Sequence, residues 1–193
     1  MNELKYHDIL RINEMRRVTI IPIGWMDDAT ISTIKNFLSV ITDMDVRLGE
    51  KIEVPRYAYD HRRDQYRVQN ILDILSYKHS GGDFIIGVTD VDLYKDRRDF
   101  VFGSSNLING VCAISILRLK VNSPSEKDNI QLFRKRVLTE AVHEIGHLLG
   151  LLNCRNETCV MHEPATLEDI DRKGYEFCSS CSRSLDRSSF RDL

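Results

Sequence analysis

The chain has 193 residues, 42% hydrophobic and 29% charged, enough to bury the core of one domain and too apolar for general disorder. Ten glycines and four prolines exclude collagen-like or proline-rich material, and a net charge of −2 gives no pull toward nucleic acid or an anionic membrane. Five cysteines are few for a disulfide scaffold of this size. The polar start MNELKYHDIL carries no secretion signal, and the apolar run 18–25 is too short to span a bilayer, so a reducing cytoplasm is expected.

Residues 18–23 are β-branched and apolar between Arg17 and Gly24 and predict a buried strand. Asp27-Asp28 opens a helical pattern in which Ile31, Ile34, Leu38 and Ile41 recur at helical spacing. Residues 46–54 alternate apolar and polar side chains as a half-buried strand does, and Pro55 ends the run. A second helix is expected over 64–78, with Val68, Ile71, Leu72, Ile74 and Leu75 as its apolar stripe. Residues 84–88 read as another buried strand, and 100–102 and 111–119 as two more around the turn Asn109-Gly110. Ser123-Pro124-Ser125-Glu126 is a capping box that opens a long helix through Ile130, Phe133, Val137, Ala141, Ile145 and Leu149. Gly150 closes it. Beyond it the apolar periodicity fades, and residues 179–193 suit a short polar helix. This order predicts an α/β fold with a mostly parallel sheet and an antiparallel strand near residues 100–119.

Inside the long helix stands His143-Glu144-Ile145-Gly146-His147. Residues i and i+4 share a face, so both imidazoles can reach one ion, and the Glu144 carboxylate beside them can deprotonate a water there. Zinc makes such a water acidic at neutral pH and polarises a scissile carbonyl, which is the chemistry of a metallopeptidase. Three fixed residues also occur by chance in a helix, so the continuation of the sequence has to decide.

Cys154 and Cys159 are four residues apart, and Cys178 and Cys181 two apart. Two thiolate pairs on tight turns suit a closed tetrahedral zinc site, structural rather than catalytic. Disulfides or unpaired buried thiols are the alternatives, and a reducing compartment favours metal over both.

The whole run HEIGHLLGLLNC, followed by Cys159, Met161 and Cys178-Ser179-Ser180-Cys181, closely resembles the archaemetzincins, a branch of the metzincin zinc peptidases. The likeness covers residues 143–181. It implies a metzincin-like α/β fold: a mixed, mostly parallel sheet with an antiparallel edge strand, a long active-site helix and a small C-terminal zinc-bound subdomain. The division would fall into residues 1–150 and 151–193. It implies a catalytic zinc on His143 and His147, a structural zinc on Cys154, Cys159, Cys178 and Cys181, a helix-ending turn at Gly150, and a methionine turn at Met161 packed beneath the histidines. It also implies that residues 110–116 form an edge strand along the cleft, to which an extended substrate adds as a further strand.

One position departs from the family. The third zinc-binding histidine falls at position 153, where this chain carries Asn153. An amide oxygen is a weaker zinc donor than imidazole, which leaves Asn153, solvent or His162 to complete the site. The expected function is hydrolysis of peptide or protein substrates with Glu144 as general base. The alternative is a peptidase-derived protein that grips an extended peptide without turnover. A nucleic-acid-binding finger at the cysteines is disfavoured by the charge balance. Cys112 is expected to be buried and inert. Glu140 is expected to be an exposed helix carboxylate or else to contact the second nitrogen of His143. Arg62-Arg63, Arg97-Arg98, His7, His61 and His79 are expected at the solvated surface. Oligomeric state and cleavage preference are not legible.

Overall fold

In the computed structural model the described residues are 17–42, 44–79, 83–120 and 126–188. The predicted cap at 123–125 and His7 lie outside them. The sheet is built on strands whose faces differ in partner. Along β1 (Arg17–Ile23), Val18 and Ile20 join one apolar cluster while Ile21 and Ile23 join another. A strand buried on both faces reads as a continuous apolar run, and helices must cover both sides.

The five-stranded sheet has the order β2-β1-β5-β9-β8, with β2 (Asp45–Leu48), β5 (Phe84–Thr89), β8 (Gly103–Asn106) and β9 (Val111–Ser115). The β2–β1, β1–β5 and β5–β9 pairings are parallel, and β8 lies antiparallel on β9 at one edge. One face carries α1 (Asp28–Thr42) and α3 (Glu126–Leu148), which share a core with Val18, Ile86 and Ile114. The other carries α2 (Val68–Lys78), whose Val68, Ile71, Leu72 and Leu75 pack on Ile21, Ile85 and Ala113. A smaller sheet of β3 (Tyr59–Asp60), β4 (Gln65–Arg67), β6 (Leu93–Lys95) and β7 (Arg98–Val101) stands beside it in the order β3-β4-β6-β7. Two short helices follow, α4 (Leu167–Lys173) and α5 (Ser179–Ser188).

Several boundaries differ from the sequence reading. The strand expected over 46–54 stops at Leu48, and only Ile52 returns to the sheet, as a bridge to Ile23. The helix expected from residue 64 begins at Val68, because Asp64 takes a left-handed backbone, φ 55°, and residues 65–67 pair as β4. The strand expected over 100–102 is two strands in two sheets, β7 and β8. The edge strand is therefore β8; residues 110–116 hold β9, which is covered on both sides by β5 and β8.

The long helix ends as predicted. Gly150 has φ 88°, its N–H donates to His147, and the Leu151 N–H reaches back to Gly146. This reversal needs a residue without a Cβ and turns the chain back beneath the helix. Arg136 of α3 grips Asp171 of α4 with two hydrogen bonds of 2.6 and 2.7 Å. Thr166 caps α4 in a reciprocal box with Asp169. Among the described residues no helix is long and apolar enough to cross a membrane.

Candidate active site and metal centres

His143 and His147 stand one turn apart on α3. Each ring is anchored through Nδ1, His143 to the Val160 carbonyl and His147 to the Leu151 carbonyl, both at 2.8 Å. A carbonyl only accepts, so each Nδ1 carries the proton and each Nε2 presents a lone pair. Burial, together with the charge of Lys173, holds His143 well below the ordinary imidazole range, and burial lowers His147 as well. Both are thus neutral, as a metal ligand must be. The two Nε2 atoms face each other at 3.2 Å. Two zinc bonds of about 2.0–2.1 Å at a tetrahedral angle place their nitrogens about 3.3–3.4 Å apart, so the pair fits one ion.

Glu144 lies beside them, 3% exposed. Its Oε2 is buried without a hydrogen-bond partner, and its carboxyl is raised to about 8, first by burial and then by the charge of Glu140, while a hydrogen bond from Ser105 of β8 opposes the rise. The cleft in front has a volume of about 610 Å³ and is walled by β8, by the hairpin from Lys95 to Asp99 and by the chain at Leu152 and Asn153.

The Asn153 side chain neighbours His147 and donates from Nδ2 to Glu163 Oε2 at 3.0 Å. His162 turns elsewhere: its Nδ1 meets the Cys154 carbonyl at 3.1 Å, and it forms no ligand cluster with the other two histidines. Beneath the pair, Met161 is wholly buried and packs on Gly146, the residue between Glu144 and His147 that has no side chain of its own. A Cβ at Gly146 would lie 2.3 Å from the Met161 sulfur, so the methionine fills the space that glycine leaves.

Glu140 is neither exposed nor in contact with the His143 Nδ1, which Val160 occupies. It is 2% exposed and faces Lys173 Nζ at 3.8 Å. Lys173 is buried too and donates to the His162 carbonyl at 3.0 Å. Glu140 and Glu144 lie one turn apart, so a shared helix face was the available signal; Lys173, thirty-three residues further on, had none.

The four cysteines come together. Their sulfurs lie within 4.8 Å of one another, the one such group of possible metal ligands among the described residues. Cys154 and Cys178 are 3.8 Å apart, Cys159 and Cys181 3.7 Å. A disulfide holds its sulfurs at about 2.05 Å, whereas a tetrahedral site with bonds of about 2.3 Å spaces them at about 3.8 Å. The thiols are free, and the cluster could hold a metal ion. Backbone N–H groups of Asn156 and Cys178 point at the Cys154 and Cys159 sulfurs. Burial pushes the Cys178 thiol up, but N–H groups of Cys181 and Ser180 at the start of α5 and the Cys159 thiol outweigh it and hold it at about 7. Such donors favour thiolate, the form that binds metal.

Other expectations divide. Cys112 is fully buried and its thiol is pushed far up by burial. His61 is exposed, but His79 is half-buried with Nε2 on the Asp83 carbonyl. Arg63 and Arg98 are not merely solvated: Arg63 donates to the Arg98 and Asp99 carbonyls, and Arg98 pairs with Glu163.

An α/β sheet whose long helix aims two imidazoles and a carboxylate into a cleft, with a four-thiol cluster in the chain that follows, defines a zinc metallopeptidase. The model of peptidase family M54 matches residues 13–187, and the chain belongs to that family. An archaemetzincin of Methanocaldococcus jannaschii is 35% identical over 169 residues, covering 88% of this chain and 92% of that protein. The crystal structure of an archaemetzincin from Methanopyrus kandleri has a TM-score of 0.78 at 28% identity, over 92% of this chain and 97% of that one. A zinc-dependent peptidase from Methanocorpusculum labreanum has a TM-score of 0.76 at 26% identity, over 87% and 99%.

Proposed function

We propose that the chain hydrolyses peptide bonds in peptide or protein substrates, with His143, His147 and the Asn153 Oδ1 as donors to zinc and Glu144 as general base. The observation that carries this reading is the 3.2 Å approach of two imidazole lone pairs next to a buried, unpartnered carboxylate oxygen. A zinc ion bound there supplies Lewis acidity, polarising a carbonyl and bringing the pKa of water to about 7.

The chain's own groups do the rest. The outer edge of β8 offers backbone donors and acceptors to an extended peptide. Ser105, on that strand, holds the Glu144 carboxylate against the cleft. Glu144 takes a proton from the attacking water and returns it to the leaving amine as the bond breaks, serving as base and then as acid. Burial, which raises its affinity for the proton, fits a group that must accept and carry one. We assign the four cysteines to a structural zinc, the boundary between the two subdomains to Gly150, and the protein to a reducing cytoplasm that keeps thiols free.

The test is turnover of an unstructured polypeptide by the zinc-loaded protein and by Glu144→Gln. Loss of roughly 10²–10⁴ in rate with unchanged zinc content is expected. Equal turnover in both would overturn the assignment. The amide at position 153 favours one second reading, a peptide-binding protein without turnover; it predicts saturable peptide binding by the wild type and no cleavage.

A further inference from the structure

Asn153 lies on an exposed stretch of chain, yet its carboxamide is not free to turn over. Its Nδ2 donates to Glu163 Oε2 at 3.0 Å. A carboxylate only accepts, so this contact fixes which end of the amide faces which way. Oδ1 is the end of the amide turned away from Glu163, on a side chain that also neighbours His147. Glu163 is itself held: Arg98 Nη2 donates to its other oxygen, Oε1. Arg98 opens β7, and both residues line the cleft.

The need for such a holder follows from the amide. An imidazole presents a ring nitrogen in a direction set by the ring. A carboxamide has two ends of nearly equal size, one an acceptor and one a double donor. Turned by half a rotation, Asn153 would aim two N–H groups at the site and could give nothing to a cation. An outside group has to select the orientation, and a carboxylate behind Nδ2 does so.

We propose that Glu163 is the positioning residue that lets asparagine serve at position 153, and that Arg98 keeps Glu163 in place. This rests on the reading of Asn153 as the third zinc donor. Glu163 acts through the amide and makes no bond to the ion. It corresponds to the partners behind metal-binding histidines, whose loss weakens metal binding by about 10–100-fold. The site is thereby joined to the β6–β7 hairpin on the far side of the sequence from α3.

The experiment uses the full chain already holding one zinc per molecule. It is titrated with further zinc against a chromogenic chelator, with melting temperature recorded for each variant. Asn153→Ala and Glu163→Ala are each expected to weaken the second zinc by about tenfold or more. The double variant should be no weaker than Asn153→Ala alone. Glu163→Gln, which keeps an acceptor, should stay near wild type, and Glu163→Ala should have no effect on top of Asn153→His. Melting temperatures should not move, because both side chains are surface residues. If Asn153→Ala weakens zinc but Glu163→Ala does not, the role of Glu163 is refuted while Asn153 stands as a donor. If the two losses add, or Glu163→Gln is as weak as Glu163→Ala, Glu163 acts by its charge and orientation is refuted. If Asn153→Ala binds zinc like wild type, the third-donor reading fails and takes the inference with it.

Discussion

His143 and His147 stand on a rigid helix, and two backbone carbonyls fix their rings. Cys154, Cys159 and Cys178 stand on the irregular chain between Leu151 and α5 and Cys181 in the first turn of α5, with backbone N–H groups aimed at the Cys154 and Cys159 sulfurs. The first centre is set by the fold, and on the proposed function its metal is needed for chemistry. The second centre is proposed to help set the fold, with its metal needed for structure. The two meet in the chain from Asn153 to His162. Cys154 follows Asn153, and Val160, next to Cys159, supplies the carbonyl that orients His143. Order at the thiols is thus passed to the imidazoles through one peptide unit on either side of the loop.

The largest effect is expected at the cysteines. Cys178→Ser should lower the melting temperature by about 10 °C or more and loosen zinc at the histidines as well. An unchanged melting temperature would erase the distinction between the centres. Glu144→Gln should do the opposite, removing roughly 10²–10⁴ in rate while zinc content and melting temperature hold. A fall in melting temperature there would show that the catalytic centre also carries structure.

Lys173→Met tests the tie between α3 and α4. It should destabilise the protein by about 3–5 kcal/mol, because Glu140 is left buried without its cation. Adding Glu140→Gln should recover most of the loss, measured by denaturant unfolding of the single and double variants. Gly146→Ala is smaller. Its methyl group would press on the Met161 sulfur and should cost about 1–3 kcal/mol, with weaker zinc binding at the histidines as the side effect that distinguishes it from ordinary overpacking.

Much of this was legible in the residues, for physical reasons. β1 and β5 are continuous apolar runs because both faces are covered, and α1 and α2 carry stripes because one face is. The histidine pair and the cysteine cluster could be read because ligand spacing is local. What escaped reading depends on distant partners. β8, with the sequence GSSN, has small polar residues and no alternation, yet it forms the edge of the sheet because β9 pairs with it. The strands of the second sheet are two to four residues long, too short for a period to show. Glu140 was read as exposed because the charge that makes its burial tolerable, Lys173, lies on another helix. Glu163 gave no signal, since its meaning comes from the amide ten residues before it.

The difference between the two centres is tested most directly by counting zinc per chain in the purified protein, beside the double variant His143→Ala, His147→Ala. Two ions in the wild type and one in the variant, with the variant still folded, is the expected result. One ion in both would show that the thiol cluster alone is filled and that the imidazole pair, with Asn153 beside it, holds no zinc.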